Sequence, residues 1–196
     1  IILGSSSPSR QASFKKFDLP HQSASPDIDE TPQSSETGLA LTQRLSLEKA
    51  QKLATHFSNH YIITGDQLIE VNQNILGKPT NREHAIEQLM ACSAQTGTFH
   101  TSMTFYTPST GSYESHTISG EVEYQKLDSK IINHYLDKDQ PWHAAGSICL
   151  EAHGFTLLKR LQSEDPFSIL GMNMMWLACM LRQAGFSFYQ GNSASS

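Results

Sequence analysis

The run Tyr61-Ile62-Ile63-Thr64-Gly65-Asp66-Gln67-Leu68-Ile69-Glu70-Val71 constrains the fold of this chain more than any other stretch. A short apolar block stops at Thr64-Gly65-Asp66 and then resumes. A buried strand is therefore expected to deliver one carboxylate, Asp66, at a place where Gly65 lets something approach the backbone closely. An acid held in that way is either structural, capping a turn or closing an ion pair, or it is catalytic. The remainder of the chain has to decide between the two.

A length of 196 residues suits one domain with room for a substantial core, expected over residues 1–190, with the low-complexity tail 191–196 read as disordered. No stretch approaches the roughly 18 consecutive apolar residues of a membrane span. Ile1-Ile2-Leu3 is too short for a secretory signal and lacks its basic flank. A cytoplasmic protein without membrane contact is expected. Lys and Arg number 14 against 19 Asp and Glu, a net charge of -5, and the cations are scattered, which argues against binding long nucleic acid but not a mononucleotide. Cys92, Cys149 and Cys179 are too few and too far apart for a disulfide framework and are read as small buried residues. The nine histidines are read as surface or packing residues rather than metal ligands.

Ile1 to Gly4 reads as a strand entering Ser5-Ser6-Ser7-Pro8-Ser9-Arg10, with a helix following through Gln11 to Phe17. A strand, a Ser-rich turn and a helix start direct backbone N–H groups and a helix dipole at an anion, and Arg10 adds a planar fork of donors; an ordinary serine cap with Pro8 in the first turn is the alternative. Asp27-Ile28-Asp29-Glu30 packs three carboxylates between Pro26 and Pro32, which is costly unless cations share the space. The pattern predicts a helix over Gly38 to Phe57 carrying Lys49 and Lys52, a hairpin through Asn72-Gln73, and a helix from Asn81 to Met90. Alternating strands are expected over Gly97 to Thr107 and Ser115 to Tyr124. A helix capped by Asp128 or Ser129 should follow, then a strand over Phe155 to Leu161 and a helix over Leu170 to Ala184 whose methionines fill the core. Lys78 is held between Gly77 and Pro79, and Glu151 closes the loop begun at Pro141-Trp142.

Taken in order, Ser5 to Arg10, Asp27-Ile28-Asp29-Glu30-Thr31-Pro32, Glu48-Lys49-Ala50, Gly65-Asp66-Gln67, Gly77-Lys78-Pro79 and Ala145-Gly146-Ser147 with Glu151 closely resemble the Maf family of nucleotide pyrophosphatases, from Ile1 to about Ala184. Within it, Gln67 and the Ala-Gly-Ser…Glu element look like the branch that hydrolyses 7-methyl-GTP; the dTTP and UTP branch instead has Asp-Thr and Gly-Tyr-Gly-Ile-Gln elements. The resemblance implies an α/β fold with a long mixed sheet, flanking helices and two lobes around a nucleotide cleft. It also implies a homodimer and a divalent cation, Mg²⁺ or Mn²⁺. The chain departs from the family at Ser9, where a basic residue or an aromatic is usual, and at Gly171-Met172-Asn173, where the family has Gly-Leu-Pro.

The implied reaction is attack of water on the α-phosphorus, releasing monophosphate and pyrophosphate. Ser5, Ser7, Arg10, Lys49 and Lys78 would hold phosphate, and Asp66 would be the general base or hold the metal, shared with Glu30. Ser9, Gln67 and Glu151 would set specificity. One carboxylate can accept both N1–H and N2–H of a guanine, so Glu151 favours that base, and Trp142 is a candidate aromatic face for a cationic 7-methyl ring. A dTTP or UTP pyrophosphatase and a non-catalytic nucleotide-binding regulator of cell division remain as alternatives.

Overall fold

The computed structural model describes residues 1–188, so the tail 191–196 lies outside the described residues. In chain order the elements are β1 (Ile2–Gly4), α1 (Pro8–Lys15), β2 (Gln22–Ser23), α2 (Gly38–Ala54), β3 (Ile62–Val71), β4 (Asn74–Leu76), α3 (Arg82–Cys92), β5 (Thr96–Thr107), β6 (Ser112–Tyr124), α4 (Ser129–Asp139), β7 (Leu158–Gln162) and α5 (Met174–Gln183). Seven strands make one mixed sheet in the order β2-β1-β3-β5-β6-β7, with β4 beside β3. β1 runs parallel to β2 and β3, and the other pairings are antiparallel. Helices cover both faces, as the α/β expectation requires.

Local chemistry sets the boundaries. Thr37, Asn81 and Asp128 cap α2, α3 and α4 by accepting from the N–H groups of Ala40, His84 and Ile131. Asn72 and Gln73 both take positive φ, as a two-residue hairpin turn demands. Gly171, at φ +85°, breaks the segment expected to be helical from Leu170, and α5 starts only at Met174. β7 starts at Leu158 rather than Phe155 because Gly154–Leu157 forms a 3-10 turn. Met175 and Cys179 prove exposed, while Cys92, Cys149, Met172, Met174 and Met180 are buried. Residues of β5 are buried on both faces rather than alternately, since α2 covers one face and the segment around α5 the other.

β3 is continuous through Thr64-Gly65-Asp66; it pairs with β5 from Ile62 to Val71 without a break. The interruption lies on its other edge. There β1 pairs only with Ile62–Thr64 and β4 only with Ile69–Val71, so residues 65–68 have no strand partner on that side. β1 leaves the sheet at Gly4 into the serine loop, and β4 leaves at Leu76 into Gly77-Lys78. A cleft opens between them.

The same break divides the core into two lobes. Leu3, Ile63, Phe14, Met172 and Leu177 pack beyond Gly65, whereas Ile69, Val71, Leu89, Ile132 and Leu136 pack beyond Gln67. Alternation along the strand puts Gly65 and Gln67 on the face shared by these two cores, and Thr64, Asp66 and Leu68 under α2. Among the described residues no helix is long and apolar enough to cross a membrane.

Candidate functional site

The underside of α2 is partly polar. Thr42, Ser46 and Lys49 form one helical stripe, spaced by four and three, and all three are buried. They meet the polar positions of the sheet: Ser102 Oγ donates to Thr42 Oγ1, Ser46 Oγ bonds Thr104 Oγ1, and Thr64 Oγ1 donates to the Ser46 carbonyl. This band of hydroxyls fixes the rotation of α2 over the sheet. One turn on, Lys49 Nζ therefore arrives 2.7 Å from Asp66 Oδ1, and it also lies 2.8 Å from Glu30 Oε1.

Glu30 belongs to the irregular strap 24–37, of which Ser25, Pro26, Glu30 and Pro32 line the cleft. Arg44 holds that strap: its guanidinium donates to both carboxylate oxygens of Glu36, to Glu48 and to the Thr31 carbonyl. The Glu36 carboxyl, bonded to Arg44 and to the Gln33 N–H, is held down at about 2. Burial raises the pKa of Glu30, but the hydrogen bond and charge of Lys49, with the charges of Lys78 and Arg10, outweigh it and leave Glu30 below the usual carboxylate value. Arg44 and Glu36 carry no motif signal in the sequence; the i,i+4 spacing of Arg44 to Glu48 is the one local feature that points to a partner.

On the other face of the strand, Arg10 Nε donates to the Gly171 carbonyl at 2.9 Å. Burial lowers the Arg10 pKa, opposed by the charges of Asp66 and Glu30. What comes close at Gly65 is this arginine and β5: a Cβ there would stand 3.0 Å from the Ser102 carbonyl and 3.7 Å from Arg10 Nε. Gln67 is more occupied than its sequence position implied. Its Nε2 lies within 3.0 Å of Thr101 Oγ1, Ser168 O and Ile169 O, which share its two hydrogens; this ties the turn 168–170 to the sheet and leaves only Oε1 for a ligand.

A cavity of about 480 Å³ runs along the open edge of β3. Ser5, Ser7, Ser9, Arg10, Glu30, Lys49, Asp66, Gln67, Lys78 and Glu151 all line it, so these ten site residues meet in one cleft. In the serine loop, Ser5 N–H donates to Leu3 O and Ser7 N–H to Ser5 Oγ, so two of the N–H groups expected to face phosphate are engaged locally. Lys78 is exposed, its backbone pinned next door by Gly77 O, which accepts from Gly146 N–H and Gln88 Nε2. Ser147 Oγ donates to Gln88 Oε1, so the Ala-Gly-Ser element holds the cleft wall in place. Glu151 shares the lining with the apolar residues Leu76, Ile148, Leu150 and Leu170. Trp142 does not line the cavity, and an aromatic face from it is not seen.

Among the described residues no group of three or more His, Cys, Asp or Glu is gathered as a metal site. His56 and His60, four apart in sequence, gather no third ligand. Among the described residues, Asp66 and Glu30 each keep one carboxylate oxygen free of protein hydrogen bonds. Two carboxylates with spare oxygens suit a hard cation that brings its remaining ligands as water and phosphate.

The sequence-family model described as Maf-like protein matches residues 1–184. Among solved structures, the Ham1 protein of Staphylococcus aureus is similar at 15% identity, over 93% of this chain and 98% of that one, with a TM-score of 0.51. At that identity the likeness is one of fold.

Proposed function

The chain belongs to the Maf-like family of nucleotide pyrophosphatases, and from that premise we propose that it hydrolyses a nucleoside triphosphate with a modified guanine base, 7-methyl-GTP, to monophosphate and pyrophosphate. The observation that carries the reading is the cleft itself: Arg10, Lys49 and Lys78 line it together with Asp66 and Glu30, and so does an exposed Glu151 that forms no ion pair among the described residues and shares the lining with apolar side chains.

Phosphoryl chemistry of this kind needs positioning and charge neutralisation more than covalent help. Arg10 on one face of β3 and Lys49 on the other straddle the open strand edge, so a polyphosphate lying across it meets a cation on each side. Asp66 is fixed by Lys49 through Oδ1, which leaves Oδ2 to take a proton from the attacking water. Glu30 and Asp66 would hold a divalent cation, Mg²⁺ or Mn²⁺, which when bound neutralises phosphate charge. Recognition of guanine rests on acceptors: Glu151 offers two oxygens, and Gln67 presents only Oε1 because its amide N–H groups are engaged. A uracil or thymine reader needs a donor as well, so the dTTP or UTP reading has less support. A homodimer and a cytoplasmic location complete the proposal.

The test is to incubate the purified protein with a nucleotide panel and Mg²⁺ or Mn²⁺ and resolve the products. Monophosphate plus pyrophosphate from 7-methyl-GTP, abolished by Asp66→Asn and by chelation, is expected. Release of orthophosphate alone, or activity unchanged by Asp66→Asn, rejects the assignment.

A further inference from the structure

Glu151 sits on a loop without regular structure, yet a base-reading carboxylate must be held in place. The loop is gripped on both sides from α4. Tyr135 Oη accepts from the Cys149 N–H at 2.8 Å, two residues before Glu151. Asp139, one helical turn further along α4, accepts from the His153 N–H at 2.7 Å through Oδ2 and bonds His153 Nδ1 at 2.6 Å through Oδ1, two residues after it. Tyr135 is buried and the Asp139 side chain is 1% exposed. Inside the loop, Gly154 N–H donates back to Cys149 O at 2.8 Å, closing the arch. Glu151 itself is left exposed at its crown, with the Cys149 thiol as its one hydrogen-bonding neighbour among the described residues.

Two features make this more than an ordinary loop anchor. The grips are placed symmetrically about the one residue of the loop that carries charge into the cleft. Asp139 is also a carboxylate enclosed at the base of the arch, and its charge bears on the Cys149 thiol two residues from Glu151. We infer that Tyr135 and Asp139 are positioning residues that set Glu151 for recognition of a base presenting adjacent N–H donors. This rests on the reading of Glu151 given above.

The experiment compares Tyr135→Phe, Asp139→Ala and Glu151→Gln, alone and combined, on 7-methyl-GTP and UTP. Each clamp variant is expected to raise KM for 7-methyl-GTP about 10-fold with kcat and the UTP constants within about 2-fold, the pattern of lost ground-state recognition. Adding Asp139→Ala to Glu151→Gln should cost nothing further, because both act through one contact. Tyr135→Phe leaves a buried N–H unpaired; should it fold poorly, Asp139→Asn and His153→Asn, with equilibrium binding of 7-methyl-GMP against UMP, make the same comparison without turnover. A loss shared equally by both nucleotides, or additive losses in the double variant, overturns the clamp and leaves the role of Glu151 standing. Glu151→Gln without effect on either nucleotide removes both.

Discussion

Lys49 Nζ lies 2.7 Å from Asp66 Oδ1 with both side chains largely buried, and Glu30 shares the same ammonium at 2.8 Å. Removing the cation strands two carboxylates together. Breaking a fully buried ion pair costs about 3–5 kcal/mol, and the 53% exposure of Glu30 reduces the expectation for Lys49→Met to about 2 kcal/mol. Lys49→Met with Asp66→Asn should recover most of that stability and none of the activity. Denaturant unfolding alongside product assays checks this; a double variant as unstable as Lys49→Met alone would show that the pair is not the source of the loss.

Glu151→Gln converts a group with two acceptors into one with an acceptor and a donor. A guanine edge then faces one matched and one opposed contact, a penalty of about 2–3 kcal/mol in kcat/KM, or roughly 100-fold, for 7-methyl-GTP. UTP turnover should change by less than about 3-fold. An equal fall on both nucleotides assigns Glu151 to structure.

Gln67 makes the opposite prediction although it sits beside Asp66. Gln67→Leu leaves Ile169 O without its donor, removes one of the three donors to Ser168 O, and loosens the turn whose neighbour, Gly171 O, holds Arg10. We expect destabilisation by about 1–3 kcal/mol and a loss of kcat/KM of similar size on every nucleotide. A selective loss on 7-methyl-GTP would instead make its Oε1 the dominant contact.

The strand arrangement was largely legible in the sequence because period and caps are local properties: β1, α2, β3, the Asn72-Gln73 hairpin, α3 and α4 fall where the residues indicate. The cleft was legible only as a list of motifs. What creates it, the failure of β1 and β4 to cover residues 65–68 of β3, is a pairing fact with no local signature. Gln67 shows the limit most clearly, since two of the three partners of its amide stand about a hundred residues further along. Asp165 stands in a polar stretch, Ser163 to Asp165, that carries no local sign of burial. It is fully buried, accepting from Phe167 N–H and Met175 N–H, so it ties the turn after β7 to the start of α5.

Glu36 offers a test of the strap. Its folded pKa is depressed to about 2 from 4.5 by Arg44 and the Gln33 N–H, so its contribution is present above the unfolded value and is lost as pH falls through that window. Wild-type stability should therefore drop between pH 4.5 and 2 more steeply than that of Glu36→Gln, measured by urea midpoints across the range. Parallel curves would mean that the Arg44 contact exists without energetic coupling to folding.

Asn173 stands where the resembled family has proline, and the structure supplies a physical reason to resist the reversal. Its φ of -79° is accessible to proline, and its N–H faces only Met103 Sδ, so Asn173→Pro is sterically admissible and gains about 0.4–1 kcal/mol from the stiffer unfolded chain. It would also remove the buried Oδ1, which has no partner. Against this, Nδ2 donates to Thr101 O and His116 O, both at 3.1 Å, joining α5 to β5 and β6. Two such bonds contribute about 1–3 kcal/mol together, so they outweigh the entropy gain. Asn173→Pro should be destabilised by about 1 kcal/mol, lowering Tm by about 2–4 °C, and Asn173→Ala by somewhat more because it lacks the compensation. A proline variant that melts above wild type would show that the amide bridges contribute less than the orphaned oxygen costs.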